Sequence, residues 1–522
     1  MKKLDFFFLS LIFFLTSVQN IVVAGNNNAS DRLKTRINGN KKVYYTYNYP
    51  SVDAQGNPIV LSSALIAYKP NMANDVIETV LIGCHITITS TKQCPSEFPE
   101  DQSLTSETGV VYNFLPGASP STYPSLGNCV IILPDYEGYG ETSQRTHPYL
   151  AQELTSRQVV DAVNYGLALY RKEVELGEAL DFSDDWLSFC YGYSQGGSVA
   201  LATQRHIEQN NLSGQLHFAG SICGDGPYDL ITTLRYFFED DGNSYGVATE
   251  HRKDKISMPV VMPLIAQGML AANTDMQNHQ LTEYFSKKFL DTGIISWINK
   301  KTISTDDISK LLYTLCEEGL TAADGTVYTP REMQQLFTSH SIKAGGLLSS
   351  DKYYVTADLK EMMTPAFYAY FSNANNFSTV PAAQGDPMQD LHRALAENSL
   401  VEGWTPQHRI VFFHSKGDIV VPYGNYIEFE RKHASPDIKI VNHTTEDHVD
   451  AGTAFYLQFM SSMPEHFKWI AEGYMPTGIR NIDATTTKIA DDHWYTTTGK
   501  KLLEKPKKKG VYIHRGEKVI IH

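Results

Sequence analysis

Short, mostly apolar runs punctuate this chain and limit what it can fold into. They are Val80-Leu81-Ile82, Val130 to Leu133, Leu187 to Tyr191, Phe218 to Ile222, Ile410 to Phe413 and Ile438 to Val441. Apolar runs of this length suit strands covered on both faces, the mark of a buried parallel sheet. Helical stretches alternate with them. Between Thr155 and Val174, residues Val159, Val160, Val163, Leu167, Tyr170 and Val174 share one helical face,. Ser198 to Gln209 and Gly452 to Glu472 also read as helices. Strand–helix alternation predicts an α/β fold with a mostly parallel central sheet flanked by helices. Residues 43–68 add a two-stranded start, with Asp53 to Pro58 as its turn.

The rhythm stops between Asp229 and Ser399. No buried strand is evident there. Thr232–Phe238, Leu264–Met276, Gln280–Leu290, Thr305–Glu317, Pro330–Ser339 and Met388–Ala396 read as amphipathic helices. About 170 residues is too long for a loop, so this segment reads as an inserted, mainly helical cap. The expected organisation is a leader over 1–24, a first core segment over 25–229, the cap over 230–400, a second core segment over 401–475, and a linker with a basic tail over 476–522. The 522 residues leave ample chain for a large core, and the net charge of −14 argues against a nucleic-acid partner,.

The two ends differ from the body. Lys2 and Lys3 precede an apolar run from Phe6 to Leu15, and Val22 and Ala24 flank a small-residue cleavage site before Gly25,. A membrane span needs about 20 apolar residues, so this run reads as a secretory signal and the mature chain as exported. Residues 499–522 carry eight Lys/Arg and two Glu, and Gly510–Ile513 and Lys518–Ile521 alternate like a hairpin around Arg515-Gly516. Six cysteines are too sparse for a disulfide framework, and no Cys-x-x-Cys pair suggests zinc,. Cys84 and Cys94 bracket a short loop and are the pair to test against buried free thiols.

The sharpest chemical signal is Gly192-Tyr193-Ser194-Gln195-Gly196-Gly197, a G-x-S-x-G turn between a buried strand and a helix,. Gly192 and Gly196 suit a sharp turn where a Cβ would clash, and the following helix points its free N–H groups at the serine. A serine hydroxyl needs a base, and the base needs an orienting carboxylate. Asp418, just past the Ile410–Phe413 strand, is the candidate acid, with Asp225 as alternative. His448 is the candidate base, on a loop before the last helix, with His443 as rival; His414 and His433 read as packing or surface residues. Two backbone donors should hold the oxyanion, the N–H of Gln195 and that of Thr87 in the Gly83–Thr87 loop. His85 reads as shaping that loop. Asp135 and Glu137, in Asp135-Tyr136-Glu137-Gly138-Tyr139-Gly140, read as pocket wall rather than catalytic acids.

Together these residues resemble the α/β-hydrolase superfamily over roughly residues 43–472. The Pro134–Gly140 stretch, the elbow and the large insertion look most like secreted lipases and esterases with a helical lid. The resemblance implies a Ser194–Asp418–His448 triad, an exported serine hydrolase of carboxylic esters, and no metal or organic cofactor. Small-molecule or lipid esters would be the substrates, with lipid contact through the lid. One departure is Ile86, where the family often has glycine after His85. The tail, from Trp494-Tyr495-Thr496 to Gly510-Val511-Tyr512-Ile513, is similar to C-terminal sorting modules of type IX secretion, which implies contact with secretion machinery. Two rivals are a serine peptidase, with Glu239-Asp240-Asp241 holding a substrate amine, and a non-catalytic binding module.

Overall fold

The computed structural model describes residues 28–39, 42–69, 75–97, 128–239, 253–344, 351–382, 385–443, 447–461 and 463–474, and in the C-terminal segment 494–496, 501–502, 505–507, 509–514 and 517–521. The leader, Asp240 and Asp241 of the acidic run, and the linker residues 476–492 lie outside the described residues.

Nine strands form the main sheet: β1 (Lys34–Asn38), β2 (Lys42–Val52), β3 (Pro58–Tyr68), β4 (Ile77–Cys84), β5 (Asn128–Pro134), β6 (Phe182–Tyr193), β7 (Phe218–Gly224), β8 (Arg409–Ser415) and β9 (Ile438–His443). Their order is β1-β2-β3-β5-β4-β6-β7-β8-β9. From β5 to β9 every neighbouring pair is parallel, while β1, β2 and β3 run as an antiparallel edge. The inner parallel strands β5, β7 and β8 are buried almost residue after residue, and β7 shows no exposed position, whereas the edge strand β9 exposes Lys439. β1 had no signal in the sequence: Lys34-Thr35-Arg36-Ile37-Asn38 is an exposed edge and carries no apolar run.

Helices α1 (Gln152–Glu175), α2 (Gln195–Gln209), α3 (Gly424–His433), α4 (His448–Ser461) and α5 (Met463–Glu472) flank the sheet. One face packs Val159, Val163, Leu167, Val199, Ala200 and Phe429 against alternate strand residues such as Val80, Ile82, Cys190 and Phe412. The other packs Phe455, Phe467 and Ile470 against Leu81, Phe189, Ile222 and Phe413. The single helix expected over Gly452–Glu472 is two, and Pro464 is the second residue of α5, a first-turn position where its missing N–H costs no intrahelical bond,.

The segment between β7 and β8 has a core of its own, built on Leu234, Phe237, Met269, Phe285, Phe289, Met333, Phe367 and Leu391. It is not purely helical. Lys255–Ser257, Lys352–Asp358 and Phe337–Ile342 form a three-stranded antiparallel sheet, and Leu320–Thr321 pairs with Val327–Tyr328. These strands are half exposed, so their apolar residues alternate with polar ones and form no continuous run,. The helix expected over Pro330–Ser339 ends at Leu336, and Phe337 begins a strand. That over Gln280–Leu290 is broken into a short turn (Leu281–Glu283) and a five-residue helix capped by Ser286.

All six cysteines are buried free thiols, Cys84 and Cys94 included. In the C-terminal segment, Gly510–His514 pairs antiparallel with Glu517–Ile521 within a four-stranded sheet that also holds Trp494–Thr496 and Lys501–Leu502. No helix among the described residues is long and apolar enough to cross a membrane.

Candidate active site

β6 carries the chain to Tyr193 at the sheet's C-terminal edge, and α2 leaves it at Gln195. Ser194 between them has φ 56° and ψ −123°, a strained conformation for a residue with a side chain,. Its N–H is held by the Gly224 carbonyl at 2.8 Å. Gly196 faces the Cys84 carbonyl so closely that a Cβ there would overlap it, and Gly192 meets the Gly196 backbone in the same way. The end of β4 is thereby pressed against the first turn of α2.

Ser194 Oγ donates to His448 Nε2 at 2.8 Å, and His448 Nδ1–H donates to Asp418 Oδ2 at 2.6 Å. The ring's tautomer follows from these partners. The structure thus brings together the serine, acid and base expected from sequence, from β6, the loop after β8, and α4. His448 is not on a loop, as expected, but is the first residue of α4. Asp447 caps that helix, its Oδ1 accepting the Val449 and Asp450 N–H groups at 3.0 Å each,. Asp418 Oδ1 accepts the N–H groups of Val420 and Val421 at 2.8 Å each, which fixes the carboxylate in place. The three residues are nearly closed off from water: Ser194 is 9%, His448 7% and Asp418 1% exposed. Burial, the largest single influence, would lower the His448 pKa, but the carboxylates of Asp418, Asp225 and Asp447 together outweigh it, and the net shift is upward,.

Asp225, the alternative acid, is fully buried just past β7 and accepts the Ser415 N–H at 2.6 Å. Burial raises its pKa, while His414 opposes. His414 also lies at hydrogen-bond distance (2.8 Å) from the Val421 carbonyl. Asp225, His414 and Asp418 offer ligand atoms within 4.8 Å of one another. Asp418 is already engaged by three N–H donors and His414 by a carbonyl, so the donor set fits a hydrogen-bonded cluster better than a metal cage. His443 ends β9, opposite Ser415 in the ladder. His433 lies against the Val401 carbonyl at 2.6 Å, a packing role.

The loop after β4 holds the other expected donor. Thr87 Oγ1 shares a 2.8 Å hydrogen bond with the Tyr149 hydroxyl. His85 is buried, stacks on Tyr136 at 4.0 Å, and sets its ring nitrogens 2.7 Å from the Ile86 carbonyl and 3.0 Å from the Asp135 carbonyl. Ile86, partly buried, packs against the sheet's core. Asp135 is a structural pin: its carboxylate accepts the Ser62 hydroxyl at 2.6 Å and the Ser96 N–H at 2.8 Å. Glu137 is held by Arg145 Nε at 2.6 Å and Gln158 Nε2 at 2.8 Å. Glu239 ends the helix Leu230–Glu239 of the insertion and pairs with Arg235.

Two neighbours escaped the sequence reading. The Tyr193 hydroxyl donates to the His448 carbonyl at 2.6 Å, tying the elbow to α4. The Gln195 amide donates to His147 Nε2 at 2.8 Å. Neither contact has a local signature, because each joins segments far apart in the chain.

A parallel sheet of this order, with a serine on the strand-to-helix elbow of its central strand, defines the α/β-hydrolase fold. Solved structures show the same fold. The rice cell wall degrading esterase LipA from Xanthomonas oryzae aligns with a TM-score of 0.55 at 19% identity, over 83% of this chain and 91% of that one. Candida antarctica lipase A aligns with a TM-score of 0.50 at 13% identity, over 88% of this chain and 86% of that one. No protein-family model matches the sequence, and no curated protein matches it.

Proposed function

We propose that this chain is an exported serine hydrolase of carboxylic esters. The observation that carries the reading is the unbroken hydrogen-bonded line from Ser194 through His448 to Asp418, set on a strained elbow at a helix N-terminus. Ser194 Oγ attacks the ester carbonyl while His448 Nε2 takes its proton. Asp418 orients the ring and stabilises the imidazolium. The N–H groups of Gln195 and Thr87 receive the developing oxyanion. His448 then protonates the leaving alcohol, and the acyl-enzyme is released by water activated in the same way. No metal or organic cofactor enters these steps.

The esterase and lipase activities of the similar structures support the ester over other acyl substrates. The segment over 230–400 is read as a cap over the site. Contact with a lipid interface would run through it, where Leu311, Val327, Ile342 and Val380 are the large apolar side chains exposed among the described residues. Export rests on the leader over 1–24, and handling by secretion machinery on the basic tail.

Rates on p-nitrophenyl esters of graded chain length, beside aminoacyl p-nitroanilides, test the reading. Ester turnover should fall at least about 10³-fold in Ser194→Ala. Turnover of the anilides alone would make the chain a peptidase. Inertness of the folded protein toward both would leave a binding module.

A further inference from the structure

The residue after the nucleophile carries a side chain that ester hydrolysis does not require. Its amide donates to His147 Nε2 at 2.8 Å, and His147 Nδ1–H donates to the Glu137 carbonyl at 2.7 Å. This pattern needs a neutral imidazole protonated at Nδ1. Burial pushes the His147 pKa down to about 3, so that form persists at any working pH,. The ring is wedged among Tyr136, Tyr139 and Tyr149, with centroids 6.1, 5.0 and 5.8 Å away. Tyr149 continues the chain of contacts, its hydroxyl bonded to Thr87 Oγ1 at 2.8 Å. The residues proposed as oxyanion donors, one at the start of α2 and one on the loop after β4, therefore end on one buried aromatic cluster.

Ser194 supplies the reason such a brace matters. Relaxation of its backbone out of the left-handed region (φ 56°) would swing the 194–195 peptide, and with it the Gln195 N–H,. An oxyanion donor is useful only within about 2.7–3.1 Å of the charged oxygen, so a small swing is costly. The Gln195 side chain, moored to His147, opposes that swing.

We propose that His147 is a positioning residue for the oxyanion hole, holding the Gln195 N–H in line while Tyr149 holds the Thr87 loop. The proposal rests on the ester-hydrolase reading. Its test is steady-state kinetics on p-nitrophenyl butyrate for the full chain, His147→Phe, Gln195→Met, the double variant and His147→Gln. Labelling of Ser194 by a fluorophosphonate and urea midpoints are measured alongside.

Each single variant should lose about 10- to 100-fold in kcat with KM within about three-fold, less than the loss of a whole oxyanion donor. The double variant should be no more than about three-fold slower than the slower single one, because both cut the same tether. His147→Gln, which offers an acceptor and a donor, should regain part of kcat. Losses that multiply, or losses confined to KM, overturn the proposal. If His147→Phe does not fold, Gln195→Met against His147→Gln decides alone: unchanged kcat in Gln195→Met overturns it. A wild-type chain with neither turnover nor Ser194 labelling overturns the hydrolase reading itself, whereas variants with undiminished kcat beside an active wild type overturn only the brace.

Discussion

Asp225 stands in a left-handed backbone conformation (φ 35°), fully buried, with His414, Asp418 and His448 as the titratable groups whose charges act on it. A second carboxylate behind the His448–Asp418 pair acts on the base without touching it. When ionised, it favours the imidazolium and adds to the upward shift that Asp418 and Asp447 impose on His448. In the proposed mechanism turnover requires neutral His448 in the free enzyme, so a raised histidine pKa moves the acid limb of kcat/KM to higher pH. Asp225→Asn removes the charge and keeps an oxygen to accept the Ser415 N–H. The acid limb should therefore move to lower pH, by on the order of 1 unit; a pH–rate profile checks it. An unmoved limb would mean that Asp225 is protonated throughout the working range and electrically silent.

At the scale of elements, α4 joins the fold to the proposed chemistry, because His448, the proposed base, is its first residue. Asp447→Ala should cost about 1 kcal/mol of stability through the lost cap, read as a shift in urea midpoint, and should slow turnover as the first turn frays. Asp447→Asn keeps the cap oxygen and should restore most of the midpoint. The sequence displays the elements unevenly, for physical reasons. The inner parallel strands β5, β7 and β8 were legible because burial on both faces leaves mostly apolar residues along them,. The elbow was legible because Gly192 and Gly196 stand where no Cβ fits. β1 and the insertion's small sheet were hidden because a half-exposed strand mixes polar and apolar residues, as Phe337-Thr338-Ser339-His340-Ser341-Ile342 does. The start of α4 was misjudged by four residues: Asp447 followed by His448 carries the cap signal, but the apolar period becomes plain only near Gly452. His147 and Tyr149 were invisible because their partners, Gln195 and Thr87, are remote in sequence, and a distant hydrogen bond leaves no local pattern.

At the scale of the whole molecule, the thiols report on how the body is held together. With six cysteines buried and unpaired, packing rather than covalent bridges closes the core. Burial also raises the pKa of Cys94, Cys129, Cys190, Cys223 and Cys316, which suppresses the reactive thiolate,. Ellman titration without reductant should find close to no reactive thiol in the native protein and six in urea. Four in urea would indicate one bridge, with Cys84–Cys94 the first to examine.

The long insertion between β7 and β8 also sets an order in time. As the chain emerges from a ribosome, β1 to β7 and Ser194 precede the insertion, and Asp418 and His448 follow it. A nascent chain halted within the insertion carries Ser194 but neither Asp418 nor His448. If the proposed triad is the working one, its hydroxyl waits, through the making of the whole insertion, for the acid and the base that would arm it.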